Sequence, residues 1–201
     1  MRAGRTSGLA WISLVFLACL GLAACLNISD RVALEKEIVA NPAFAGEWEA
    51  LVWFPQDGGM PAGQPYLHIA ERQQQGRPVY AVTSDTAKFT ARIRDVVTLY
   101  TFGEAQFLLN GDPRSCNDCI LLKYFMTEDG KHMAVQSLNR DKAVRFLQMM
   151  RADTTKIVYG VEGSVGNIRV LVLDDEARSL LGAIGDRQDL WDDGAILTRR
   201  E

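Results

Sequence analysis

Ile120-Leu121-Leu122-Lys123-Tyr124-Phe125-Met126 and His132-Met133-Ala134-Val135-Gln136-Ser137-Leu138 are two runs of strand formers joined through Glu128-Asp129-Gly130. An Asp-Gly turn between two such runs is a strong short-range hairpin signal. It sets the reading of its surroundings as antiparallel β-sheet. Upstream, Ala105 to Leu109 and Val96 to Phe102 are two further apolar runs hinged at Gly103-Glu104. Lys88 to Arg94 alternates, with Phe89, Ala91 and Ile93 on one face and Thr90, Arg92 and Arg94 on the other. Val79 to Thr83 and Tyr66 to Glu71 flank a polar turn over Gln73-Gln74-Gln75-Gly76, and Trp48 to Trp53 ends at a loop, Pro55 to Gly59.

Downstream of the hairpin the period changes. Ala143, Val144, Leu147 and Met150 recur at helical spacing, so Asp141 to Arg151 is expected to be a helix lying on the sheet. Lys156 to Val161 and Ile168 to Leu173 return to strand. Glu176 to Ile184 is a second helix, and Ala195 to Thr198 is a last short strand after a polar connection. The expected fold is mainly β (α+β): an antiparallel meander, barrel-like or strongly curved, with two packed helices. Phe89, Phe107, Phe125, Tyr80 and Trp53 offer the bulk to fill its interior, leaving at most a shallow apolar pocket.

Gly46-Glu47-Trp48 opens the first strand, and a helix precedes the last one. That layout resembles the lipocalin and calycin pattern, in which a tryptophan closes the barrel floor and a basic residue near the chain end covers its ring. The resemblance implies that role for Trp48 and for Arg199 or Arg200, through a cation–π contact. The chain departs from the pattern where the Asp141 to Arg151 helix interrupts the strands. The layout also resembles that of small uncharacterised envelope lipoproteins.

At the other end of the chain, Arg2 and Arg5 precede an apolar core from Leu9 to Leu22, followed by Leu22-Ala23-Ala24-Cys25. This resembles a bacterial lipoprotein signal. The resemblance implies cleavage before Cys25 and acylation of its thiol. Leu26 and Asn27, rather than Asp, follow the cysteine, which implies the outer membrane in a host that has one. The alternative is an uncleaved membrane helix, but the strongly apolar part is at the short end of the ~17–25 residues of a span. The expected organisation is a signal peptide over 1–24, an anchor and tether over 25–43, and one mainly β domain over 44–201. Each buried methylene of an acyl chain contributes ~0.8 kcal/mol, so two or three chains anchor the protein permanently.

Removing residues 1–24 takes Arg2 and Arg5 and no acid, leaving 20 basic against 25 acidic residues, a net charge of −5. An acidic chain without a basic cluster argues against nucleic acid as partner. Cys116 and Cys119 are then the remaining thiols, in an oxidising compartment. A disulfide pinning a loop is the simplest reading of Cys116-Asn117-Asp118-Cys119. A thioredoxin-like site needs a helix after the pair, and a zinc site needs two more ligands, which only His68 or His132 could supply. Ser164, in Gly163-Ser164-Val165-Gly166, lacks the nucleophile-elbow spacing. Asp174-Asp175 and Asp192-Asp193 lack the spacing of a metal loop. No catalytic residue, metal or cofactor is expected. The expected function is an acylated, non-enzymatic accessory or docking module of the bacterial envelope. Its partners would be the membrane, through the acyl chains, and an envelope protein. The alternatives are a carrier of a small apolar ligand in a lipocalin-like barrel and a thiol-redox protein using Cys116 and Cys119.

Overall fold

The computed structural model describes residues 26–29, 31–52, 66–84, 95–110, 120–159 and 168–200. Eight strands form a closed antiparallel β-barrel: β3 (Gly46–Val52), β4 (Tyr66–Gln74), β5 (Arg77–Ser84), β6 (Val96–Phe102), β7 (Ala105–Asn110), β8 (Ile120–Met126), β9 (His132–Leu138) and β12 (Trp191–Arg199). Each pairs with the next, β9 with β12, and β12 back with β3, so the barrel is an up-and-down meander in chain order. Closure removes the free edges that an open sheet would expose. The hairpin at Gly130 joins β8 to β9 as expected, with Phe125 opposite Ala134 and Met126 opposite Met133. The mainly β, barrel-like fold with two helices is thus the one the periodicity predicts. The Lys88 to Arg94 strand lies outside the described residues.

Between β9 and β12 the chain leaves the barrel to build a second layer. Helix α2 (Arg140–Met149) and helix α3 (Asp175–Asp186) lie there with β10 (Ile157–Val158) and β11 (Ile168–Val170). Asn139 caps α2 by accepting the Lys142 backbone N–H at 3.1 Å, and Asp174 caps α3 through the Ala177 N–H at 2.9 Å. Two cores follow. One fills the barrel, with Phe44, Trp48, Leu67, Tyr80, Leu99, Leu108, Tyr124 and Leu197 among its members. The other lies outside the wall, where Tyr100, Phe102, Phe107 and Leu121 meet Phe146, Leu147, Leu181 and Ile184 of the helices.

The segment expected to be a tether is built into the fold. β1 (Leu26–Ile28) pairs in parallel with β11 and antiparallel with β8, and Leu26 is fully buried. The one-turn helix α1 (Arg31–Leu34) buries Leu34 in the outer core. β2 (Ile38–Val39) then pairs with Leu99 and Tyr100 of β6. β5 and β6 pair through Tyr80–Val97 and Ala81–Val96, and β2 pairs with β6 further along, at Leu99 and Tyr100. Pro78, which has no N–H to donate to a ladder, lies two residues before Tyr80 on β5. A chain that covers apolar side chains of the sheet gains more than a solvated spacer would, which is why this segment docks.

A bulge in β12 decides which core Trp191 joins. The register slips between Asp192 and Ala195, so Ala195 and Leu197 face the barrel interior while Trp191 faces the helices. Gly194 makes this possible, because a Cβ there would stand 1.8 Å from the Val135 carbonyl oxygen.

Candidate functional site

The most constructed place in the barrel is one end, where β3 begins and β12 ends. A single 3-10 turn, Pro42–Phe44, enters this end and drives the Phe44 ring into the interior. The ring meets Tyr80 edge-on at 5.1 Å and Tyr124 at 5.4 Å between centroids. The Asn41 backbone N–H donates to the Tyr80 hydroxyl at 2.8 Å, and the Trp48 indole N–H donates to the Phe44 carbonyl at 3.1 Å. Burial raises the pKa of both Tyr80 and Tyr124, so each hydroxyl stays neutral.

Arg199 locks this plug from outside. Its guanidinium carbon lies 4.7 Å from the centroid of the Trp48 ring. Its Nε donates to the Gly130 carbonyl at 3.1 Å, and its Nη2 donates to the Ala43 carbonyl. One planar cation thus ties the end of β12 to the β8–β9 turn and to the plug. Gly46 leaves it room: its φ is +145°, and a Cβ there would stand 2.6 Å from Arg199 Nη1. Of the two arginines named from the sequence, Arg199 covers Trp48, whereas Arg200 lies 5.2 Å from the ring of Tyr66. This arrangement closes a floor and offers no nucleophile or acid–base pair.

Above the floor, the described residues that face the interior are buried. Trp48, Tyr80, Val97 and Leu99 expose 0 % of their surface, and Leu67, Leu108 and Tyr124 expose 1 %. A water-sized sphere reaches almost none of these side chains. The membership differs from expectation. Tyr80 faces inward as anticipated, but Phe107 faces the helices and Phe125 is half-exposed outside the wall. Phe44, Trp48 and Tyr124 provide the inward bulk instead. Phe89 and Trp53 lie outside the described residues.

The other candidates are dispersed. His68 Nδ1 lies 2.5 Å from Glu47 Oε1 on the outer wall. Hydrogen bonding from Tyr66, then from His68, holds the Glu47 carboxyl below its usual range. His132 is exposed at the start of β9. Among the described residues, no group of three or more His, Cys, Asp or Glu side chains could hold a metal ion. Asp174 serves as a helix cap and pairs with Lys156 at 2.9 Å, while Asp192 accepts from the Asn139 amide at 2.9 Å. Cys25, Cys116, Cys119 and Ser164 lie outside the described residues. No described helix is long and apolar enough to cross a membrane.

Asn41, Phe44 and Tyr124 are the floor residues that sequence reasoning passed over. The available signal was Phe44, a large apolar residue two positions before Gly46 in an otherwise loop-like stretch. Compared with models of protein families, with curated proteins and with solved structures, the chain matches none.

Proposed function

We propose that the protein is an acylated lipoprotein of the bacterial envelope, anchored through Cys25, whose barrel is a docking body. An eight-stranded barrel is compatible with carriage of a small apolar ligand as well. A carrier, however, needs an empty interior, and a barrel of this strand number is only just wide enough for side chains or one small ligand. The observation that favours docking is the burial of the inward-facing side chains: Trp48, Tyr80 and Leu99 expose 0 % of their surface and Tyr124 1 %. What remains for interaction is the outer surface. The Leu22-Ala23-Ala24-Cys25 run supports the anchor, and the acidic mature chain argues against nucleic acid as a partner.

Titration of the detergent-purified full chain with a fluorescent fatty acid tests the choice. The expected result is no saturable one-to-one binding. Saturable binding at micromolar concentration, lost when Leu108 is enlarged to Trp, would make the barrel a carrier.

A further inference from the structure

Apolar side chains line up across four strands on the outer wall of the barrel. Phe125 lies opposite Ala134, Ala134 opposite Ile196, and Ile196 opposite Val52. The β12–β3 register slips just after Ile196, making Leu51 the extra residue of a bulge beside Val52. Phe125 is 49 % exposed, Leu51 46 %, Ile196 43 % and Val52 37 %. Three strand spacings place the ends of the row about 14 Å apart. The neighbouring rungs are polar, with Lys123 and Gln136 on one side and His132, Thr198 and Glu49 on the other.

The helical layer stops at the first of these rungs. Lys123 Nζ lies 5.8 Å from the Trp191 ring and donates to Gln188 at 3.0 Å, and the Gln188 amide donates to Gln136 at 3.1 Å. The apolar row is the next rung beyond that border. A contiguous row of this kind, rimmed by polar groups, marks a contact surface.

The N-terminal strand indicates what the row contacts. Leu26 pairs with Leu121 on β8, the strand that carries Phe125. Four residues of strand separate Leu121 from Phe125, about 13 Å. Because β1 runs antiparallel to β8, following the chain backward from Ile28 to Leu26 leads toward Phe125. Cys25 is one peptide bond further, ~3.8 Å between α-carbons. Cys25 directly precedes Leu26, which is fixed in the sheet beside β8, so an acyl group on Cys25 would be joined to the barrel without a long spacer.

We propose that the row formed by Leu51, Val52, Ile196, Ala134 and Phe125 is the face that the barrel lays against the phospholipid bilayer. The inference rests on the lipoprotein reading and adds an orientation to it. Anchoring makes contact between this wall and the bilayer effectively intramolecular, so even a modest apolar area suffices to hold it. The opposite wall, around Thr83 on β5, then faces away and is free for a protein partner.

The test uses the full-length acylated protein in phosphatidylethanolamine–phosphatidylglycerol vesicles whose acyl chains carry bromine. Phe125→Trp, Ile196→Trp and Thr83→Trp are compared after subtracting the emission of the unsubstituted protein. Thr83 is exposed, on a strand four places round the barrel from β9. The expected result is several-fold stronger quenching at positions 125 and 196 than at 83. Equal quenching at all three positions in acylated, vesicle-bound protein would overturn the orientation and leave the lipoprotein reading standing. A blue-shifted emission at position 125 that bromine does not quench would place a second protein copy over the row, and would also overturn it. An intact mass without acyl chains would instead bring down the lipoprotein reading and the orientation with it.

Discussion

Arg199 combines three interactions that no other basic side chain could make together. A guanidinium stacks on the Trp48 ring and forks to two carbonyls, whereas an ammonium is a point charge without that planar fork. Arg199→Ala removes the cation–π contact and leaves the Ala43 and Gly130 carbonyls without that donor. The expected loss is about 2–3 kcal/mol in urea unfolding, with a changed Trp emission. Arg199→Lys should fall between, and Arg200→Ala should cost less than about 0.5 kcal/mol. An Arg199→Ala protein as stable as the parent would show that the floor does not depend on this contact. Gly194→Ala is a second such position, because the Val135 carbonyl occupies the place of the added methyl. It is expected to lower the unfolding temperature sharply, through a steric clash, whereas Gly76→Ala meets open space and costs only the strain of its positive φ of +77°. Gly46, Trp48 and a covering arginine, Arg199 or Arg200, were named in the sequence through the resemblance to the lipocalin pattern, and the choice between the two arginines was not legible. Nor was the plug, since Phe44 carries no periodic partner and its contacts, Tyr80 and Tyr124, are far away in the chain.

Strand ends from Val96 to Leu138 were legible wherever a turn residue punctuated them, and the hairpin at Gly130 is the clearest case. Which face of a strand points inward was not legible for β5, β6 and β7. Their sequences are apolar on both faces because one face fills the barrel and the other is covered by β2, the helices or the N-terminal strands. Alternation vanishes when both faces are buried, and Phe107 was therefore assigned to the wrong side. The N-terminal stretch misled for the opposite reason. Leu26, Ile28 and Leu34 are spaced among polar residues, yet each fills a place in the outer core. The helices hold this layer through their caps. Asn139→Ala should cost about 1 kcal/mol, because it frees the Lys142 N–H and breaks the bond to Asp192. Asp174 adds a pH dependence. Hydrogen bonding from Lys156, then from the Ala177 N–H, holds its carboxyl below the usual aspartate range. A carboxyl depressed in the folded state stabilises fully above its unfolded pKa and loses that contribution as the pH falls through its folded value. Thermal unfolding should therefore be insensitive to this group at neutral pH and fall below about pH 4. Asp174→Asn, which keeps the cap and removes the charge, should flatten that acid limb; an unchanged limb would assign it to other carboxylates.

If the buried side chains of the described barrel leave no room for a ligand, the outer wall is the surface left for interaction, as proposed above. On this reading the anchor has one point of failure. Cys25→Ala should yield an unacylated protein that no longer fractionates with membranes, and an inhibitor of the lipoprotein signal peptidase should accumulate the uncleaved form of the parent. Continued membrane association of the Ala variant without shortening would restore the uncleaved-helix alternative. The interior can be interrogated without choosing a ligand in advance. Protein taken from its own host's envelope in mild detergent is weighed by native mass spectrometry, and a second portion is extracted with organic solvent and its lipids identified. The expected mass is that of the chain plus the acyl groups on Cys25, with no stoichiometric passenger. A reproducible one-to-one small apolar molecule, retained through detergent exchange and released only on unfolding, would contradict a filled barrel and make carriage its function.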